Sequence, residues 1–201
     1  MLPLATIAFI RGSSKKNKEN SDGSSAKIVA KSEVTGNKAD TNDMCVLIPG
    51  DATTDKYGYY LRLNEAFSLA SGAGTDKLVI EMDIACVDAA YNINFTDQDV
   101  KLGSVLKSTA KSGTYTLQGT TVYKGTRDMA EREFVLLKIV IDQSTQKWSA
   151  YWNGDPVLTD AARNTNKATN FGSICITETD STGNAKLYID NIKIYKMETT
   201  E

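Results

Sequence analysis

This chain of 201 residues contains no histidine. That absence removes the side chain that titrates nearest neutral pH, the commonest metal ligand, and every Ser–His or Cys–His nucleophile pair. Zinc hydrolase and cysteine protease chemistry fall away with it. Any catalysis is left to carboxylates, tyrosine, lysine or arginine. Cysteine is nearly as scarce: Cys45, Cys86 and Cys175 are an odd number with no metal-ligand spacing. Cys86 and Cys175 stand in apolar, strand-like runs, where a free thiol packs as a small hydrophobe. One disulfide is the alternative, because strand pairing could bring two of the three within reach.

An excess of one charge is missing too. Lys+Arg of 23 against Asp+Glu of 25 gives a formal net charge of −2, so no basic field exists to hold nucleic acid or an anionic membrane. Neither is expected as a partner. No apolar run approaches the ~20 residues that a membrane-spanning helix needs, which argues against membrane insertion. Met1 to Ile10 is apolar apart from Thr6 but lacks a basic leader and a small-residue cleavage site. It reads as a poor secretory signal, and Leu4 to Ile10 as a first strand.

What is present is alternation. The hydrophobic fraction is 41%, and the apolar residues recur with the period of two that marks half-buried strands. After a polar loop or flexible arm over residues 11–25, with a small basic cluster at Lys15, Lys16 and Lys18, strands are expected at Ala26 to Val34 and Met44 to Ile48. Tyr57 to Leu63 and Lys77 to Ile84 follow, the latter with Leu78, Ile80, Met82 and Ile84 inward and Glu81 and Asp83 outward. Weaker strands are read at Val100 to Val105, Thr114 to Leu117 and Thr120 to Tyr123. Phe134 to Asp142 and Lys147 to Trp152 form a hairpin, and Asn153-Gly154 then signals a type I′ turn. Asp160 to Lys167 reads as one helical turn or an irregular loop. Ser173 to Thr177 and Lys186 to Tyr195 are expected to close the fold as a pair joined at Ser181 to Asn184.

The last of these strands carries the sharpest signal. Leu187 and Ile189 share one face, and so do Ile192 and Ile194, although the residue parity changes between the two pairs. Keeping both in one core requires an extra residue, which a β-bulge at Asp190-Asn191 supplies. About a dozen short strands without a long amphipathic helix predict an all-β, two-sheet antiparallel β-sandwich, as a single domain over residues 1–201.

From Phe134 onward the strand types resemble the concanavalin A-like (laminin-G-like) jelly-roll superfamily. An apolar strand ends in Asp at Phe134-Val-Leu-Leu-Lys-Ile-Val-Ile-Asp142, an aromatic strand ends in Asn-Gly at Trp148-Ser-Ala-Tyr-Trp-Asn-Gly154, and Leu187-Tyr-Ile-Asp-Asn-Ile-Lys-Ile194 closes. Lys77 to Ile84 looks like the inner strand of such proteins. The resemblance spans Cys45 to Lys196 and implies a jelly roll, a fold shared by carbohydrate-binding modules, glycan lyases, β-glucanases and viral surface proteins. Fold alone therefore does not decide function.

Glu81-Met82-Asp83 resembles the carboxylate strand of endo-β-glucanases on this fold. Retaining hydrolysis needs two carboxyl groups about 5–5.5 Å apart, and the matching third position holds Ala85 or Cys86, neither of which transfers a proton to a sugar oxygen. Glu81 and Asp83 are expected as solvated strand positions. Trp148 and Trp152 share one strand face and are expected in the core. Tyr59, Tyr60, Tyr123, Tyr151 and Asn153 are the surface candidates for carbohydrate binding, because a flat ring packs on the apolar face of a pyranose. The resemblance also implies a structural Ca²⁺ at Asp190, held by carboxylate and carbonyl oxygens; the alternative is that Asp190 caps the bulge. Asn94-Phe-Thr96 matches a glycosylation acceptor and carries little weight.

The expected function is a non-catalytic, carbohydrate-binding or adhesive module, extracellular on a cell or virion surface, with a glycan or polysaccharide as partner. A structural or assembly protein, such as a phage capsid decoration or fibre subunit, is the second reading. It would contact itself or capsid neighbours through its N-terminal segment by strand addition. A glycan lyase or hydrolase ranks third.

Overall fold

The computed structural model describes residues 9–13, 26–35, 42–49, 57–68, 76–87, 91–97, 100–109, 114–117, 120–124, 133–162, 170–178 and 186–197. Fourteen strands lie among them. In chain order they are β1 (Phe9–Ser13), β2 (Lys27–Ala30), β3 (Met44–Pro49), β4 (Tyr57–Ser68), β5 (Lys77–Val87), β6 (Tyr91–Asp97), β7 (Val100–Thr109), β8 (Thr114–Leu117), β9 (Thr120–Lys124), β10 (Val135–Asp142), β11 (Lys147–Trp152), β12 (Asp155–Ala162), β13 (Asn170–Glu178) and β14 (Lys186–Met197). One helical turn, α1 (Ser32–Thr35), follows β2.

The strands form two antiparallel sheets of seven. Sheet A has the order β12-β11-β10-β5-β14-β3-β2, and sheet B has the order β1-β4-β13-β6-β7-β8-β9. Their facing sides make one core. Sheet A contributes Leu78, Ile80, Met82 and Ile84 of β5, Leu137, Ile139 and Ile141 of β10, Trp148 and Trp152 of β11, and Leu187, Ile189 and Ile194 of β14. Sheet B contributes Phe67, Ile93, Phe171 and Ile174. Both tryptophans lie in this core, as their shared parity requires.

The bulge falls where the alternation slips. Asp190 pairs with Asp83 and Lys193 with Glu81, so two residues of β14 face one of β5 in between. Asn191 takes the left-handed conformation, at φ 48°, which Asn adopts more readily than most residues. Its side-chain amide donates to Asp83 Oδ2 at 2.7 Å. Leu187, Ile189 and Ile194 are thereby all buried, and Ile192 packs half-buried against them.

The β10–β11 hairpin has the expected register, with Asp142 opposite Lys147 and Leu137 opposite Trp152. Asp142 Oδ1 accepts from the Ser144 amide at 2.9 Å, the Ser144 hydroxyl at 2.7 Å and the Thr145 amide at 3.0 Å. Burial works against its charged form, but these bonds and Lys77 outweigh it and hold the carboxyl down to about 2. Next to it, buried Gln143 donates from its side-chain amide to the Ser68 carbonyl of β4 at 2.7 Å, tying sheet A to sheet B. Asn153 and Gly154 both have positive φ, 50° and 88°, as a type I′ turn requires.

Several expectations are corrected. Ser173–Thr177 and β14 are not a pair: β13 lies between β4 and β6 in sheet B, whereas β14 lies between β5 and β3 in sheet A. Strands consecutive in the chain thus belong to different sheets, which reading strands in sequence order does not reveal. The second half of Ala26–Val34 is the helical turn α1, because Val34 is wanted on the outer side of sheet A and is fully buried there. Arg11 to Ser13, expected in the flexible arm, belong to β1 and pair with β4. Residues 14–25 and most of Leu4 to Ile10 lie outside the described residues. Asp160 to Ala162 continue β12 rather than starting a helical turn. A strand went unread at β6, although Tyr91, Ile93 and Phe95 alternate along it.

Two measurements check this architecture. Inserting one alanine after Asn191, with the bulge kept, would turn Ile192 and Ile194 out of the core, so that variant is expected to lose its cooperative urea transition. Deletion of Asn191, which leaves a regular alternation, should retain it. Asp142 has a depressed folded pKa, so its contribution to stability is complete above the unfolded value of about 4 and disappears as pH falls through about 2. The stability gap between the native protein and Asp142→Asn should therefore close between those two pH values in denaturation curves; a gap unchanged over that window would contradict the assignment.

Candidate functional site

The outer side of sheet A is built from the residues that alternate with its core positions. Glu81 stands in its middle, with the Lys138 ammonium 3.1 Å from Oε1 and the Tyr195 hydroxyl donating to the same oxygen at 3.1 Å. Burial, and then this bond, raise the Tyr195 phenol above its ordinary value. One pleat further on, Asp83 accepts from Asn191. Both carboxylates thus point away from the core, as expected, and both are engaged within the chain. The position after them is Ala85, which is buried. The third acidic position of a glucanase-type strand is therefore filled by an alanine that cannot transfer a proton.

At the far end of the same face a second, smaller core forms. Val34 of α1 packs with Cys45, Leu47, Ala85 and Tyr188, flanked by Val29 and Phe134. Lys31 fastens this lid. Its ammonium pairs with Asp190, at the bulge, and with Asp43 at 2.8 Å, and it lies 5.5 Å from the centre of the Phe134 ring. The Asp190 and Asp43 bonds hold the ammonium protonated well above the usual lysine range. Cys45 is a free thiol, and burial pushes it up to about 11. Cys86 and Cys175 are described only as strand positions, in β5 and β13 of opposite sheets.

The calcium expected at Asp190 does not fit this arrangement. A lysine ammonium holds the carboxylate, where a metal site would gather further oxygens. Among the described residues no group of three or more acidic, cysteine or histidine side chains could hold a metal ion. The bulge is closed instead by an ion pair and by Asn191.

The five carbohydrate-binding candidates fall on both sheets. Tyr151 is half-buried on the outer side of sheet A, in register with Lys138. Asn153 serves the fold: its Oδ1 accepts the Leu136 amide at 2.9 Å, and its own amide donates to the Leu136 carbonyl at 2.9 Å. Tyr59, Tyr60 and Tyr123 are strand positions in sheet B, and β4 and β9 are separated there by four strands. Tyr59 shares its cross-strand row with Ile176 and the buried Ile93, a core row. Tyr60 is in the next row, with Cys175, Asn94 and Val105.

The rows of sheet B that alternate with the core rows are polar by residue type. Arg62, Ser173, Thr96 and Lys101 are one; Thr177, Asn92 and Lys107 belong to another; and the Tyr60–Asn94 row runs between them. Asn92, Asn94 and Thr96 were not among the sequence candidates as a group. The alternation of Tyr91, Ile93 and Phe95 was the signal that could have found them. Asn94, the glycosylation match, is an interior position of β6, flanked by β7 and β13.

No family model matches this sequence, and no curated protein matches it. Solved structures do. A seed lectin of Lotus tetragonolobus superposes with a TM-score of 0.59 at 7% identity, over 96% of this chain and 100% of its own. The catalytic domain of a glycoside hydrolase family 131 protein from Coprinopsis cinerea gives 0.57 at 12% identity, over 86% of this chain and 78% of its own. The fold is the concanavalin A-like jelly roll. The alginate lyase AlgAT5 of polysaccharide lyase family 7 agrees, with a TM-score of 0.52 at 16% identity, over 81% of each chain. The chain also matches a sialidase but spans only 15% of that protein's length. Concanavalin A-like jelly rolls thus include binding proteins and enzymes alike, and identities this low speak for the fold alone.

The lid on sheet A gives the test of this subsection. Lys31→Met leaves Asp190 without its cation in a half-buried place and should cost about 2 kcal/mol of stability, read from urea unfolding. Calcium should leave the unfolding midpoint of the native protein unchanged. A calcium-dependent rise in that midpoint would contradict the Lys31 assignment.

Proposed function

We propose that this chain is a non-catalytic carbohydrate-binding β-sandwich and that it holds its glycan on the outer side of sheet B. The observation that carries this reading is the set of polar and aromatic residue types that the register of sheet B brings onto adjacent strands. On sheet A, Glu81, Asp83, Asp142 and Asp190 are each bonded to neighbouring side chains, and α1 covers one end. On sheet B, the rows between the core rows bring Tyr60, Arg62, Asn92, Asn94, Thr96 and Lys107 onto adjacent strands. Amide and hydroxyl groups suit the hydroxyls of a sugar, and a tyrosine ring suits its apolar face.

The lectin, lyase and hydrolase likenesses are compatible with a sugar ligand. The reading as a binder rather than an enzyme rests on the chain itself. It has no histidine, and the closely spaced acidic pair of β5, Glu81 and Asp83, is bonded to Lys138, Tyr195 and Asn191.

A glycan array followed by affinity electrophoresis tests this. Binding to at least one oligosaccharide or polysaccharide class is expected, and Tyr60→Ala and Asn94→Ala should each weaken it by about tenfold or more. Tyr151→Ala should leave it unchanged. Folded protein that binds no glycan, or binding lost in Tyr151→Ala alone, would sink the proposal. Release of reducing ends or unsaturated sugars from the bound glycan would replace it with the enzymatic reading.

A further inference from the structure

The two edges of sheet A are unlike. β12 carries the features that discourage a further strand: Pro156 within it, register shifts opposite Ala150, and Asp160 in the left-handed conformation at φ 49°. Proline and bulges are among the devices by which natural edges avoid pairing with a neighbour. β2, at the other end, is short and starts at Lys27, but it has neither a proline nor a bulge. Its four residues are Lys27-Ile-Val-Ala30, and among the described residues no strand pairs with its outer side.

The backbone phase of β2 is set. The Lys31 amide donates to the Asp43 carbonyl at 2.7 Å, so Lys31, Val29 and Lys27 direct their backbone groups to β3. In an antiparallel ladder the alternate residues direct theirs outward. Ile28 and Ala30 therefore present N–H and C=O groups to the free edge. Ile28 is also 66% exposed, and Met44, opposite Ala30 on β3, is 46% exposed. These are two of the four large exposed hydrophobic residues among the described ones, and both lie at this edge.

We propose that β2 is a dimerisation edge, pairing antiparallel with β2 of a second copy about a two-fold axis at Val29. A two-fold interface must be self-complementary, and this one is. Ile28 of each copy exchanges backbone hydrogen bonds with Ala30 of the other. On the core side, Ile28 and Met44 of the two copies form one apolar strip. On the outer side, Lys27 of each copy lies opposite Lys31 of the other, whose charge is already engaged by Asp43 and Asp190, with Glu33 just beyond it. The Lys31–Glu33 corner is net negative, because Asp43, Asp190 and Glu33 outnumber the single Lys31 ammonium. Lys27 and Glu33 are both exposed and are oppositely charged at the two ends of the edge. The two copies of sheet A become one continuous sheet.

Sedimentation equilibrium on the full chain, without glycan, tests this separately from the proposed ligand. A concentration-dependent monomer–dimer equilibrium is expected. Ile28→Lys should shift it to monomer with an unchanged circular dichroism spectrum and unfolding midpoint, since the side chain is mostly exposed. If Ile28→Lys fails to fold, the charge pair decides. Lys27→Glu should weaken the dimer by about tenfold, and Lys27→Glu combined with Glu33→Lys should restore it. A native protein that stays monomeric to about 1 mM, or a dimer indifferent to Ile28→Lys or to the charge exchange, overturns the proposal.

Discussion

The structure depends on one extra residue in its closing strand. β14 lies between β5 and β3 and must keep both of its halves in the core, yet its apolar residues change parity half-way. The bulge at Asp190 and Asn191 reconciles the two. Its consequences reach outward. Asn191, turned into the left-handed region, bonds to Asp83. Asp190 is offered to Lys31, which fastens α1 and its second small core over one end of sheet A. A device needed for register thus also decides how one outer face is closed.

That closure divides the molecule. Sheet A satisfies its own outer side with ion pairs, a tyrosine hydroxyl and a lid, and it meets its surroundings at the β2 edge. Sheet B shares the central core and is joined to sheet A by the Gln143–Ser68 bond. It sets rows of amide, hydroxyl and basic residue types between its core rows. Surface charge pairs of the Glu81–Lys138 kind are worth little in stability when exposed. Their importance here is that they engage the carboxylates that could otherwise suggest catalysis.

Much of this was legible in the sequence, and what was not has physical causes. The β5 alternation, the β10–β11 hairpin, the Asn153-Gly154 turn and the bulge all rest on local rules of period and turn chemistry, and the structure has each of them. The partners of β13 were not legible, because a strand's neighbours in a jelly roll are set by the crossing between layers rather than by the nearest segment in sequence. Asp190 read as a metal ligand because no local pattern shows that a lysine 159 positions earlier would reach it. The structural role of Asn153 was not legible for a related reason: its side chain is used across the hairpin, on the Leu136 amide. Tyr59 and Tyr60 look alike in sequence and separate only when the register places one in the row of Ile93.

The account's central claim is that sheet A is closed on itself while sheet B receives the ligand. Backbone amide chemical shifts recorded during titration with a bound oligosaccharide test it most directly. The account predicts perturbations concentrated in β4, β6 and β13, with β5, β10 and β14 unmoved. Perturbations centred on Glu81, Lys138 and Tyr195 instead would contradict it.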